Sequence, residues 1–212
     1  MEKTGTKLGT AAIAALAILE SLYWKGFSCE LTMLAAGVDS LSNKDGSFHT
    51  FFFPPECDNE NWNFYSGEAL LFWPSMMTQG EFAPLMARCT AAFLHYPARH
   101  RLSRYPAFVP WHTQACVSLF AQTAWREPAE FALEMCDWLL PMQQMGWLTG
   151  GFAGAFLRTF TPGIRSSPCG IHGVYLEELT DALTLVRKLG DTARTIAYSQ
   201  AINRGLCSLR QL

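Results

Sequence analysis

Apolar residues recur along this chain at spacings of three and four, almost from end to end, and that period belongs to a helix with one buried face. The pattern predicts eight helices, over 8–23, 28–42, 66–79, 82–96, 111–124, 128–144, 174–189 and 191–210. Alternating β-branched runs bounded by turn residues are almost absent, so strands are not expected. The helix ends have local causes. Asn43-Lys44-Asp45-Gly46 is a turn, and Thr78-Gln79-Gly80 is a glycine stop. Ser66 reads as an N-cap with Gly67 and Glu68 in the first turn, and Pro128 as a first-turn proline. Gly190-Asp191 pairs a glycine stop with the N-cap of the last helix. Met135, Trp138, Leu139 and Met142 share one helical stripe and read as core.

The helices repeat in pairs. An aromatic, two intervening residues and a polar acceptor open an apolar helix three times, as Tyr65-Ser66-Gly67-Glu68, Trp111-His112-Thr113-Gln114 and Tyr175-Leu176-Glu177-Glu178. The first two copies start 46 residues apart and the next two 64 apart, with a glycine-rich stretch between the latter. The pair around Leu8 and Cys29 is an earlier, less typical copy. Periods of this length indicate stacked hairpins, because one hairpin cannot bury its own apolar face. Long connections (45–65, 97–111, 147–175) all join a second helix to the next first helix, whereas turns within pairs are short. Long aromatic loops on one side suit the mouth of a ring better than a uniform solenoid. The expectation is one all-α domain over 1–212, built from about four helical hairpins as a partial α/α toroid.

Several stretches resemble the six-hairpin, glycosidase-like α/α toroids, including the helical domains of sugar epimerases. They are Leu8-Gly9-Thr10-Ala11-Ala12, Asp45-Gly46-Ser47-Phe48, Tyr65 to Leu70, Asp137-Trp138-Leu139-Leu140 with Gln143, and Tyr175-Leu176-Glu177 running to Gly190-Asp191. The resemblance implies a carbohydrate-active protein, hydrolase- or epimerase-like, with carboxylate acid–base chemistry in an aromatic cavity. Four hairpins are fewer than the six of a closed ring, and the chain stops at Leu209-Arg210-Gln211-Leu212 within helical pattern. A truncated or divergent toroid is therefore expected. Its apolar edges would favour self-association or a partner chain, which also supports a rival reading as a non-catalytic interaction module.

Composition narrows the classes. Half of the 212 residues are hydrophobic and 16% are charged, which excludes general disorder. A net charge of −2 offers no basic field for nucleic acid, and Arg99, His100, Arg101 and Arg104 read as a solvated loop. No apolar run reaches about 18 residues, so no membrane helix is expected. Lys3 and Lys7 before the apolar run Leu8–Leu19, with Ala15-Leu16-Ala17, imitate a signal peptide, but Glu20 and the likeness to later helices favour a first helix. Seven widely spaced cysteines without a Cys-x-x-Cys pair fit a reduced, cytoplasmic chain.

Candidate chemistry centres on carboxylates. Glu68 lies three residues from Tyr65 on one helical face, where an aromatic neighbour can raise a carboxyl pKa and make a general acid; capping the helix is the plainer role. Asp58 and Glu60, in the loop from Glu56 to Trp62, and Glu178 are the other acid candidates, with Asp45 further off. Glycoside chemistry needs two such groups about 5–9 Å apart. Tyr65, Trp62, Trp111 and Tyr175 offer faces for sugar rings, and His112 and Gln114 offer polar partners. Phe48, Phe51, Phe52 and Phe53 are better placed as core. Cys169 and His172, with His112 or Cys116 nearby in the repeat, fall short of a zinc set on sequence grounds. Thr149 to Gly154 lacks the strand and lysine of a phosphate loop, so no cofactor or metal is expected.

Overall fold

The apolar stripes fold as eight α-helices in a computed structural model that describes residues 5–78, 82–143, 153–156 and 170–210. The helices are α1 (Leu8–Glu20), α2 (Ser28–Ser40), α3 (Trp62–Met77), α4 (Phe82–Leu102), α5 (Val109–Thr123), α6 (Arg126–Leu139), α7 (Gly170–Leu189) and α8 (Thr192–Leu209). Each odd helix packs against the even helix that follows it, forming four hairpins. The odd helices also pack side by side, α1 on α3, α3 on α5 and α5 on α7, so they make one continuous inner layer. This is the all-α hairpin stack that the periodicity predicts, since each inner helix buries two flanks and a back only when stacked.

Close approach within the inner layer depends on small residues. A Cβ on Gly9 of α1 would run into the Glu68 carboxylate and the Tyr65 ring of α3. One on Gly67 of α3 would come within 2.6 Å of the Trp111 Cβ and 2.7 Å of the His112 ring of α5. Polar pairs link the even helices. Asp39 of α2 pairs with Arg88 of α4. Glu134 of α6 accepts from Arg101 of α4 at 2.6 Å and from Arg104, just beyond α4, at 3.1 Å. Asp137 of α6 accepts from Arg194 of α8 at 2.9 Å and from Tyr198 at 2.8 Å.

Several predicted boundaries move. α3 starts at Trp62, so Ser66 is a second-turn residue whose hydroxyl donates to the Trp62 carbonyl, and Glu68 is not in the first turn. The asparagine before the helix, Asn61, takes the left-handed conformation (φ 54°) and supplies no side-chain cap. α4 runs through Pro97 to Leu102, so Arg99, His100 and Arg101 lie in its last turns, not in a solvated loop. Pro128 is the third residue of α6, whose first turn leaves its missing N–H without consequence. At Gly190 (φ 72°) and Asp191, which accepts from the Arg194 amide at 3.0 Å, the expected stop and cap are present. Among the described residues the period missed one pair of strands, two and three residues long, β1 (Thr6–Lys7) antiparallel to β2 (Phe51–Phe53). The stop at Gln79-Gly80, the Thr149–Phe152 stretch and Cys169 lie outside the described residues.

Phe48 and Phe51 are buried as expected, and Phe48 lies tilted against Trp73 with centroids 4.9 Å apart. Phe52 is half-buried and Phe53 is exposed. No helix among the described residues is long and apolar enough to cross a membrane.

Candidate functional site

Up-down order places the starts of the inner helices at one end of the stack, where a cleft of about 500 Å³ opens. The entry to α3 contributes Asn59, Asn61, Trp62, Asn63 and Phe64. The segment leading into α5 adds Ser103, Tyr105 and Ala107, and α7 adds Tyr175. Local sequence explains why these groups face outward. Asn59 and Asn61 both have positive φ (67° and 54°), a conformation that asparagine tolerates better than most residues, and they turn the chain tightly into α3. The loop before them is stapled by Asp58, which accepts from the Thr50 amide at 2.8 Å and the Asn59 amide at 2.9 Å and meets His49 Nδ1 at 2.5 Å. Burial pushes the Asp58 carboxyl up, but the His49 and backbone hydrogen bonds outweigh it and hold it below the usual value.

Of the candidate aromatics, Trp62 and Tyr175 come together in this cleft. Trp62 is half-buried, tilted against Phe108 with centroids 5.6 Å apart, and carries the Arg99 guanidinium 4.0 Å from its ring centre. Tyr175 is almost wholly buried and meets Phe156 edge-on. Tyr65 lies instead beside Phe51 and Lys7 on the α1 side of α3, and Trp111 lies over Gly67 in the seam between α3 and α5. Neither lines the cleft.

The polar candidates separate in the same way. His112 is buried, donates from Nδ1 to the Phe108 carbonyl at 2.7 Å and accepts at Nε2, 3.0 Å from the Ser66 hydroxyl, whose one proton is shared between this nitrogen and the Trp62 carbonyl. Tyr96, whose ring lies 5.4 Å from that of His112, accepts from the Phe48 amide at 3.1 Å. Desolvation lowers the His112 pKa to about 3, so the ring is neutral and serves as an internal strut. Gln114 keeps its amide nitrogen buried without a partner among the described residues. His172 is also buried; its Nδ1 accepts from the Phe156 amide and its Nε2 donates to the Gly205 carbonyl at 3.1 Å. Both ring nitrogens are thus committed to the backbone, and among the described residues no group of three or more His, Cys, Asp or Glu forms a metal cluster.

The carboxylates do not gather around the cleft. Glu68 lies in the α1–α3 seam, where desolvation raises its pKa to about 7. Glu178 is fully buried, with both carboxylate oxygens unpartnered among the described residues, and desolvation raises its pKa well above the usual value. Burial likewise pushes the Cys136 thiol well up. Glu60 is exposed on the loop and does not line the cleft. Asp45, also on a loop, accepts from Ser47, and that hydrogen bond lowers its pKa.

What sequence reading passed over is the amide content of the mouth. Asn59, Asn61 and Asn63 alternate with Glu60 and Trp62, and attention to the acids of that loop hid the asparagines. Their alternation was the available signal. Ser103 and Tyr105 carried none, because only the length of α4 brings them to the cleft. No protein-family model matches the chain, and no curated protein matches it.

Proposed function

We propose that this chain is a carbohydrate-binding helical-hairpin protein of the glycosidase-like α/α-toroid kind, holding its sugar in the cleft where the inner helices begin. The observation that carries the reading is the composition of that cleft: three asparagine amides, a serine and a tyrosine beside Trp62 and Phe64. Sugars present axial C–H faces that stack on aromatic rings and hydroxyls that need paired donors and acceptors, which amides supply without charge. A volume of about 500 Å³ suits a small saccharide and falls within the usual range for ligand sites. Six unpaired cysteines among the described residues fit a reducing compartment such as the cytoplasm.

No carboxylate lines the cleft among the described residues, which favours binding over hydrolysis. One observation favours a catalytic version. Burial raises the Glu68 pKa to about 7, in the range of a general acid, but Glu68 stands in the α1–α3 seam outside the cleft, so turnover would require a second sugar position over that seam. The two readings differ in a single experiment. A glycan array followed by titration of the hits identifies a ligand, and Trp62→Ala and Asn63→Ala each weaken it by about tenfold or more while leaving the melting temperature within a few degrees. Incubation of the bound sugar with wild type and Glu68→Gln then separates binding from turnover. Binding unchanged in both cleft variants would overturn the site, and turnover lost in Glu68→Gln with binding retained would establish the catalytic version.

A further inference from the structure

The cleft's lining residues are all uncharged, yet a cation stands directly behind them. Arg99 lies on α4 one turn before Ser103, whose amide still hydrogen-bonds the Arg99 carbonyl at 3.2 Å, so the two residues share a helical face. Its guanidinium rests 4.0 Å from the ring centre of Trp62, itself a wall of the cleft. Neighbouring arginines are committed elsewhere: Arg101 and Arg104 both donate to Glu134. Arg99 makes no hydrogen bond or ion pair among the described residues, so its planar set of N–H donors is held by stacking alone. The start of α3, which opens into the same cleft, has neither a side-chain cap nor an acidic residue in its first turn, and its free amides add partial positive charge there.

We propose that the cleft selects anionic saccharides, with Arg99 receiving the negative group of a sugar whose ring lies against Trp62. This rests on the carbohydrate reading and narrows it to a substrate class, a sugar carrying a uronate carboxylate or a sulfate ester. A guanidinium fork matches either group with two parallel hydrogen bonds, and prior stacking removes much of the entropy cost of ordering the arginine. Arg99 is a specificity residue here, while Trp62 and the asparagines supply binding common to neutral and charged sugars.

The test is calorimetric titration of the full chain with gluco- and galacto-configured trisaccharides, each in neutral, uronate and sulfated form. In wild type an anionic form binds at least about tenfold tighter than its neutral counterpart, and the advantage shrinks as salt is raised. Arg99→Gln lowers the affinity for the anionic sugar by at least about tenfold more than that for the neutral one, so that the ratio of the two approaches one. Arg99→Lys keeps the charge without the fork and retains part of the preference, which guards against a folding defect in the glutamine variant. Equal binding of neutral and anionic forms to wild type, or a preference that persists in Arg99→Gln, would overturn the proposal while leaving the carbohydrate reading intact. Failure of every trisaccharide, neutral or charged, to bind wild type would overturn both. Whether uronate or sulfate binds more tightly identifies the anion.

Discussion

Buried ionisable groups in this protein pull its stability in opposite directions with pH. Glu68 titrates near 7 in the folded chain and near about 4.3 when unfolded, so between those values the folded protein holds a proton that the unfolded chain has lost. Its contribution is therefore full below about pH 4.3 and is lost as pH rises toward 7. Glu178 acts in the same direction. The reverse holds for His100 and His112, lowered by burial to about 4 and about 3 from 6.5; their contribution is full above pH 6.5 and is lost as pH falls. Urea melts at pH 4.5 and pH 8 separate these terms. Glu68→Gln gains about 2 kcal/mol at pH 8 relative to its effect at pH 4.5, after discounting for partial exposure. The Ser66 hydroxyl is a different kind of group, a link between the His112 ring and its own helix. Ser66→Ala leaves the buried His112 Nε2 unpaired and lowers stability by about 1–3 kcal/mol in the same melts.

Between helices the contest is packing against charge, and packing wins. Gly67 lets α3 lie directly on α5, with no room for a methyl group against Trp111 and His112. Gly67→Ala accordingly destabilises by about 1–3 kcal/mol, independent of salt. Glu134 joins α4 to α6 through two arginines, but the pair is partly exposed, with 55% of the Arg101 side chain accessible. Glu134→Gln costs about 0.5–1 kcal/mol, and the cost fades above about 0.5 M salt. Thermal melts of both variants across salt concentrations check the ranking. The same geometry explains the repeated aromatic-x-x-Glu/Gln unit. On α3 it faces the preceding inner helix, Tyr65 and Glu68 lying over Gly9, and on α5 Trp111 lies over Gly67. A pattern that reads as a ladder of catalytic groups thus also builds the seams between hairpins.

Across the whole stack, stability is concentrated in its middle. α3 has nine buried residues and neighbours on both flanks, whereas α2 has two and lies on an outer corner. Native-state hydrogen exchange is expected to be slowest in α3 and α5 and faster by at least about tenfold in α2, because local opening of α2 exposes little apolar surface. Equal protection of α2 and α3 would mean that the hairpins unfold only together. The cleft borrows its rigidity from this arrangement, since its walls begin helices of the protected inner layer.

Helix number and helix pairing were readable from residue order, because amphipathic period and turn chemistry act over a few neighbouring residues, whereas the expected long connection over 97–111 shrinks to 103–108 because α4 continues through Pro97. Trp62 was readable as a loop-to-helix aromatic beside polar neighbours, but Trp111, which carries the same signature, lies in the seam between α3 and α5. Everything set by distances between elements waited on the fold. Asp58, Glu60, Glu68 and Glu178 look alike in sequence, yet packing makes one a loop staple, one a solvated charge, one a half-buried acid and one a sealed, unpartnered carboxyl. Ser103 reaches the cleft, and Arg99 the ring of Trp62, only because α4 continues through Pro97 and stacks beside α3. Local chemistry shapes each helix, but the dielectric around a carboxylate and the neighbours of a cation are properties of the assembled stack.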